Sequence, residues 1–337
     1  MMRVPSFAYH APRSLDEAAQ LLREHGPAAR VIAGGTDLVP NMKRRQQTPA
    51  VLISLRRVDE LRRVERDADG TLSIGAGLTL TRVAALAELA AGQRALMLAA
   101  SKVATPHIRN VGTLGGNLCL DTRCNYYNQN HEWRQAIGFC MKAPRGEAVE
   151  KVAEPSPVCW VATSSPRCWA VSSSDCAPAL LALGAEVTLA SADSKRRIPL
   201  AELYADDGMA YLTKRRDEIV AAIHLPPYPA GQRSTYHKVR RRGAFDFPVL
   251  GVGASLTLDD AGRVVKAALA LGAVASRPLR VDTSELVGHE LDDARIEAFA
   301  RAAARPAKPL DNTDFHMSWR KKMCQITIAT ALRELGA

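Results

Sequence analysis

Four cysteines, Cys124, Cys140, Cys159 and Cys168, fall within 45 residues, with 15, 18 and 8 residues between them, in a stretch rich in Trp, Tyr and Pro. Thiols so crowded can crosslink, bind a metal or hold a redox centre; an incidental loop is the fourth reading. Six of the seven cysteines lie between Cys119 and Cys176, and only Cys324 lies outside. An odd count leaves at least one thiol over in any disulfide scheme. The start, "MMRVPSFAYHAPRSLDEAAQLL", lacks the apolar core of a secretory signal, and no apolar run approaches the roughly 20 residues of a membrane span. The chain therefore reads as cytoplasmic, where thiols stay reduced, and metal or redox chemistry outranks crosslinking. On residues alone zinc and iron–sulfur stay level. Four thiolates suit a tetrahedral zinc and equally the one thiolate per iron of a [4Fe–4S] cluster, and no CxxCxxC run decides. His131 reads as a surface histidine, and Cys119 and Cys176 as small buried residues.

The second chemistry-bearing feature is a pair of glycine loops, "VIAGGTDL" (31–38) and "GTLGGN" (112–117). Without Cβ atoms the backbone can adopt positive φ and approach a ligand closely, and successive N–H groups can form a nest for phosphate oxygens. Neither loop matches GxGxxG or GxxxxGK[ST], so Rossmann and P-loop sites are not supported. Each loop taken singly is more often a plain tight turn. No nucleophile triad, catalytic acid pair or metal-water signature appears, so no catalytic residue is placed on this chain.

Elements of mixed type must position these segments. Ser14 with Glu17 three residues on is a capping box opening a helix that Gly26 and Pro27 end. Strands are expected at "ARVIAGG" and "AVLISL", and "TLSIGAGLTLTRVAALAELA" reads as a strand running into a helix near Thr81. "DCAPALLALGAEVTLASADSKRRIPLAELY" gives helix, strand, turn and strand, and "EIVAAIHLPPY" a strand stopped by two prolines. "VLGVGASLTL" and "GRVVKAALALGAV" pair across the "DDAG" turn, and two helices close the chain. The 337 residues exceed what one core usually serves. The expected division is an N-terminal α/β unit at 1–60, a middle domain at 61–228 with the cysteine-rich stretch at about 122–172, and a C-terminal α+β domain at 229–337. Hydrophobic residues at 47 % and charged residues at 24 % are the balance of an ordinary soluble globular protein. The net charge of +10 gathers at "KRR" (43–45), "KVRRR" (238–242) and "RKK" (320–322). No nucleic-acid motif accompanies it. These runs read as solvated surface or as a patch steering an acidic protein partner.

The two loops in combination, with "SSDCAPALLALGAEVTL", "DEIVAAIHLPP", "YHKVRRRGAFDFPVLGVGASL" and the C-terminal helix pair, closely resemble the FAD-binding subunits of the molybdenum hydroxylase (xanthine dehydrogenase) family over nearly the whole chain. The resemblance implies an α+β fold: a two-part FAD-binding domain of the vanillyl-alcohol-oxidase/PCMH type, then a C-terminal α+β domain. It implies that Ala33, Gly34, Gly35, Thr36, Asp37 and Leu38 cradle the FAD pyrophosphate, with Thr113, Leu114, Gly115, Gly116 and Asn117 as the second loop. Asp175 matches an acidic position that hydrogen-bonds the cofactor, and it also suits an N-cap of the following helix. Val220 and Lys238 match positions lining the flavin ring, Lys238 stabilising negative charge on the reduced flavin.

The roughly fifty residues between "GGN" and "SSSDCAPAL" exceed the usual family spacing and resemble one branch, the β subunits of 4-hydroxybenzoyl-CoA reductases. That likeness implies a [4Fe–4S] cluster on Cys124, Cys140, Cys159 and Cys168, with Tyr126, Tyr127, Trp133, Trp160 and Trp169 packed around it. The loop "MKAPRGEAVEKVAEPSPV" is longer than usual there, which leaves Cys159 the least secure ligand. It further implies an electron-transfer subunit working beside a small subunit with two [2Fe–2S] clusters and a large subunit with the molybdenum cofactor, as a dimer of heterotrimers. The complex would take electrons from ferredoxin and reductively dehydroxylate 4-hydroxybenzoyl-CoA to benzoyl-CoA. The alternative within the family is an oxidising hydroxylase whose flavin passes electrons to an external acceptor.

Overall fold

The computed structural model of the chain describes residues 3–143 and 158–337. Most of the loop between Cys140 and Cys159 (144–157) lies outside the described residues. The first helix, Leu15–His25, starts where its sequence says. Ser14 Oγ accepts from the Glu17 N–H at 3.1 Å, while the Glu17 carboxylate accepts from the N–H of Arg13, one residue before the cap. Leu15, Ala18, Ala19 and Leu22 form its buried stripe, and Gly26 stops it at φ +49. The stripe packs on a three-stranded parallel sheet, with Val51–Ser54 central between Ala8–His10 and Ala29–Ile32. All four residues of the central strand are buried, as expected of a parallel strand covered on both faces. The first glycine loop leaves this sheet directly from Ile32.

A five-stranded antiparallel sheet follows in the order Val64–Arg66, Leu72–Gly75, Ile219–Leu225, Glu186–Ala190 and Lys195–Pro199. The chain leaves this sheet at Gly75 and re-enters it at Glu186. The excursion holds the Leu80–Ala84, Arg94–Ser101 and Pro106–Val111 helices, the second glycine loop and the cysteine stretch.

The C-terminal part is a four-stranded antiparallel sheet of Gln232–Val239, Leu250–Leu258, Val264–Gly272 and Leu279–Val281. The expected hairpin turns through Asp259, whose carboxylate accepts from the N–H groups of Ala261 and Arg263, with Gly262 at φ +77. The helices Asp293–Ala303 and Met317–Gly336 cover this sheet through Ile296, Phe299, Ile328 and Leu332.

The short helix Cys176–Ala182 is buried at every position, the pattern of a helix with no solvent face. It packs in the second core yet touches the third sheet, because Gly253 has no side chain: a Cβ there would overlap the Pro178 carbonyl. This wedge ties the middle and C-terminal parts together. Gly253→Ala is expected to destabilise the chain by about 1–3 kcal/mol, as forced overpacking does; urea unfolding followed by circular dichroism checks it.

Candidate cofactor cavity and cysteine recess

A cavity of about 790 Å³ opens where the two glycine loops meet, inside the range of roughly 300–1,000 Å³ usual for ligand pockets. Ala33, Gly34, Gly35, Thr36, Asp37 and Leu38 line it, with Thr113, Gly115, Gly116 and Asn117 from the second loop and Asp175 and Val220 beyond. Glycine is required at two points for definable reasons. Gly35 sits at φ +71, and a Cβ on Gly34 would overlap the Val111 carbonyl. The loops therefore approach each other backbone to backbone. Asn117 adds the third segment, its side-chain oxygen accepting from Ser174 Oγ at 2.7 Å and the Cys176 N–H at 3.1 Å. Ser173 Oγ, buried on the cavity wall, has no hydrogen-bond partner among the described residues. A long ligand with polar oxygens suits this combination of backbone cradle and unspent hydroxyl.

Two of the expected residues stand elsewhere. Leu114 is fully buried in the second core and not among the residues lining the cavity. Lys238 is likewise absent from the lining. Its ammonium, 1 % exposed, donates to Asp175 Oδ2 at 2.9 Å and to the Lys102 carbonyl at 3.0 Å. Tyr236 donates its hydroxyl to the other Asp175 oxygen at 2.7 Å. Burial pushes the Asp175 carboxyl up and the Lys238 ammonium down, and each partner pulls the other back toward its charged form. Lys238 thus stands behind Asp175 and holds it at the wall. Asp175 occupies the N-cap position without making a side-chain cap bond; Ser174 Oγ accepts from Ala177 N instead.

The four cysteines converge. Cys124, Cys140, Cys159 and Cys168 line one recess together with Tyr126, Tyr127, Met141, Lys142, Trp160 and Val161. All four are free and buried. Burial pushes the Cys124 thiol up to about 12 and Cys168 up to about 11, with smaller contributions from neighbouring sulfurs. The free space among them is about 10 Å³, so the donor set, rather than open volume, defines the site. Among the described residues no group of three or more His, Cys, Asp or Glu side chains is placed to hold a single metal ion. Of the aromatics expected around the site, Tyr126, Tyr127 and Trp160 line it. Trp133 is 39 % exposed against the Tyr126 ring, and Trp169 lies under the Arg167 guanidinium at 3.7 Å. Cys176 is fully buried as expected, whereas Cys119 is only half-buried and lines the large cavity. His131 packs edge-on to Phe139.

Cavity and recess share a wall made of Tyr127, Met141 and Lys142. Charged pairs fasten it. Lys142 donates to Asp121 at 2.6 Å, Asp121 N–H donates to Asp37 of the first glycine loop, and Arg123 pairs with the same Asp37. The cysteine stretch closes on itself at its base, where Arg123 and Val171 exchange two backbone hydrogen bonds at 2.8 Å. Arg123 also stacks on Phe247, which with Phe245 lines the cavity from the loop after Val239. Sequence reading missed Asp121, Arg123, Lys142 and this aromatic pair; their only signal was position beside the glycine and cysteine segments.

Two of the basic runs are partly drawn into internal contacts. Arg320 of "RKK" is fully buried and donates to the carbonyls of Val249, Leu310 and Ala273, while Lys321 donates to those of Arg305 and Ala307. In "KVRRR", Lys238 is spent on Asp175, Arg241 pairs with Asp314 and Arg242 with Asp246. Within these segments Arg320 and Lys238 are taken up by internal contacts, while Arg241, Arg242 and Lys322 stay exposed.

Gly34→Ala is expected to separate the loops and leave the purified chain with much less than its normal FAD, read from the absorbance released on denaturation. Lys238→Met strands a buried carboxylate and is expected to cost about 3–5 kcal/mol in urea unfolding. A lysine that merely faced the flavin would shift the flavin potential and leave stability alone.

Residues 5–228 match the FAD binding domain in molybdopterin dehydrogenase, and residues 234–335 match the CO dehydrogenase flavoprotein C-terminal domain. The chain is 32 % identical to the aldehyde oxidoreductase FAD-binding subunit PaoB of Escherichia coli (strain K12), over 98 % of this chain and 99 % of that protein. It is 27 % identical to the 6-hydroxypseudooxynicotine dehydrogenase complex subunit alpha of Paenarthrobacter nicotinovorans, over 98 % of this chain and 96 % of that one. A chain of the reconstituted CO dehydrogenase from Oligotropha carboxidovorans superposes with a TM-score of 0.79 at 25 % identity, covering 99 % of both. The loops, the cavity between them and these matches over nearly the full length together make the chain an FAD-binding medium subunit of the molybdenum hydroxylase family.

Proposed function

We propose that this chain carries electrons between a molybdenum site on a partner subunit and an external acceptor, as the FAD subunit of an oxidising hydroxylase. The observation that carries the reading is the 790 Å³ cavity bounded by both glycine loops, supported by relatives named as dehydrogenases and oxidoreductases. Bound FAD supplies the redox chemistry, and the protein sets its environment. Gly34, Gly35, Gly115 and Gly116 allow the backbone to approach it, Ser173 offers an unspent hydroxyl, and Asp175 is held at the wall by Tyr236 and Lys238. The partners in this reading are a small [2Fe–2S] subunit and a large subunit with the molybdenum cofactor, in a dimer of heterotrimers.

A specific observation favours a second reading. Four free, buried cysteines line one recess, and that recess shares a wall with the cavity between the glycine loops. The donor set suits a [4Fe–4S] cluster, which takes one thiolate per iron. In this reading the chain serves a 4-hydroxybenzoyl-CoA reductase, with electrons entering from a low-potential donor such as ferredoxin and moving toward the molybdenum subunit.

Protein purified without oxygen separates the two. FAD with about four irons and four sulfides per cluster supports the second, and turnover of 4-hydroxybenzoyl-CoA with reduced ferredoxin then tests its substrate. FAD without iron, with reduction of an external acceptor by an oxidisable substrate, supports the first. A chain without FAD overturns both.

A further inference from the structure

Three arginines are buried among the described residues, Arg123, Arg134 and Arg320. Two are accounted for: Arg123 by Asp37, Arg320 by three backbone carbonyls. Arg134 is not. It is 1 % exposed, and among the described residues its one side-chain hydrogen bond runs from Nη2 to the Arg44 carbonyl at 2.5 Å. Its Nε and Nη1 have no partner, and among the described residues no carboxylate lies within ion-pair distance. Burying an ion without a counter-ion costs several kcal/mol, so an anion beside this guanidinium would be favoured.

The geometry says where. Arg134 belongs to the His131–Ala136 helix, whose N-cap Asn130 accepts from the Trp133 N–H at 2.8 Å. The chain then reverses through Gly138 at φ +74 and Phe139 at φ +56, and Phe139 N–H bonds back to the Arg134 carbonyl at 2.7 Å. Cys140 follows at once. The guanidinium lies 5.7 Å from the centre of the Tyr127 ring, itself a wall of the recess. Tyr127 and Cys140 act electrostatically on Arg134 against the effect of its burial, with exposed Glu132 adding less. The other cation at the recess, Lys142, is already neutralised by Asp121 at 2.6 Å.

We propose that Arg134 is the counter-charge of a four-thiolate centre held by Cys124, Cys140, Cys159 and Cys168, a positioning residue that favours its assembly and its reduced state. The proposal rests on the iron–sulfur reading above. Four thiolates outweigh the positive charge of an iron–sulfur core, and each added electron makes the centre more anionic. A buried cation nearby favours both forms over the metal-free thiols, and the reduced form most.

The test uses the full chain purified without oxygen, as wild type, Arg134→Met and Arg134→Lys. It measures iron, sulfide and FAD per chain, and the midpoint potential by dithionite titration followed by electron paramagnetic resonance. At a fixed potential, Arg134→Met is expected to lower the reduced-to-oxidised ratio about tenfold, a downward shift of about 59 mV for one electron. Arg134→Lys is expected to stay near wild type. If Arg134→Met holds no iron while its FAD is intact and Arg134→Lys holds iron, the need for charge is also supported. An unchanged potential and iron content in Arg134→Met overturns the proposal and leaves the cluster standing. Loss of iron in both variants assigns Arg134 to packing and overturns it equally. Wild-type protein without iron or sulfide removes the cluster reading itself, and the Arg134 proposal with it.

Discussion

The close approach of two glycine loops is the constraint on which the rest of this structure turns. Gly34 lies where any Cβ would meet the Val111 carbonyl, so the cavity exists only because two backbones can touch without side chains between them. One loop leaves a parallel sheet, and the other sits in the long excursion from an antiparallel one. Two sheets that also share a core through Ala190, Ile219 and Ala221 thereby meet again at the cavity. Neither loop alone has the usual signature of a nucleotide site; the site is a property of their meeting.

Charged residues then do a task that is easily mistaken for surface chemistry. Asp37 ties the first loop to Arg123 and to the Asp121 backbone, and Asp121 receives Lys142 two residues after Cys140. A single chain of polar contacts thus runs from the flavin loop to the cysteine recess. Desolvated pairs of this kind add little net stability against an apolar substitute. Their geometry fixes how the two sites face each other across Tyr127 and Met141.

What could be read from the sequence follows the range over which each signal acts. The Ser14 cap, the hairpin at "DDAG" and the apolar stripe of the first helix are local, and propensity with periodicity finds them. The glycine loops and Asp175 were legible because a family pattern places them, and the cavity gathers nearly all of that set. Lys238 was misread in part because the pattern gives a neighbourhood and not a direction; in the structure its ammonium turns to Asp175. Leu114 sits in the right loop and faces the core. The basic runs were unreadable for a plainer reason. A string of Lys and Arg does not say which members the fold will bury, and Arg320 is surrounded by carbonyls that lie 10, 47 and 71 residues away in sequence.

The paired hydrogen bonds between Arg123 and Val171 at the base of the insertion carry a consequence for how such a segment is acquired. They bring its two ends side by side, so the parent scaffold meets it as a short hairpin-like stub whatever its contents. The entropy of closing such a loop grows only logarithmically, by about 0.6 kcal/mol per doubling of length. An extra stretch between Cys140 and Cys159 therefore adds little to the cost of folding the whole.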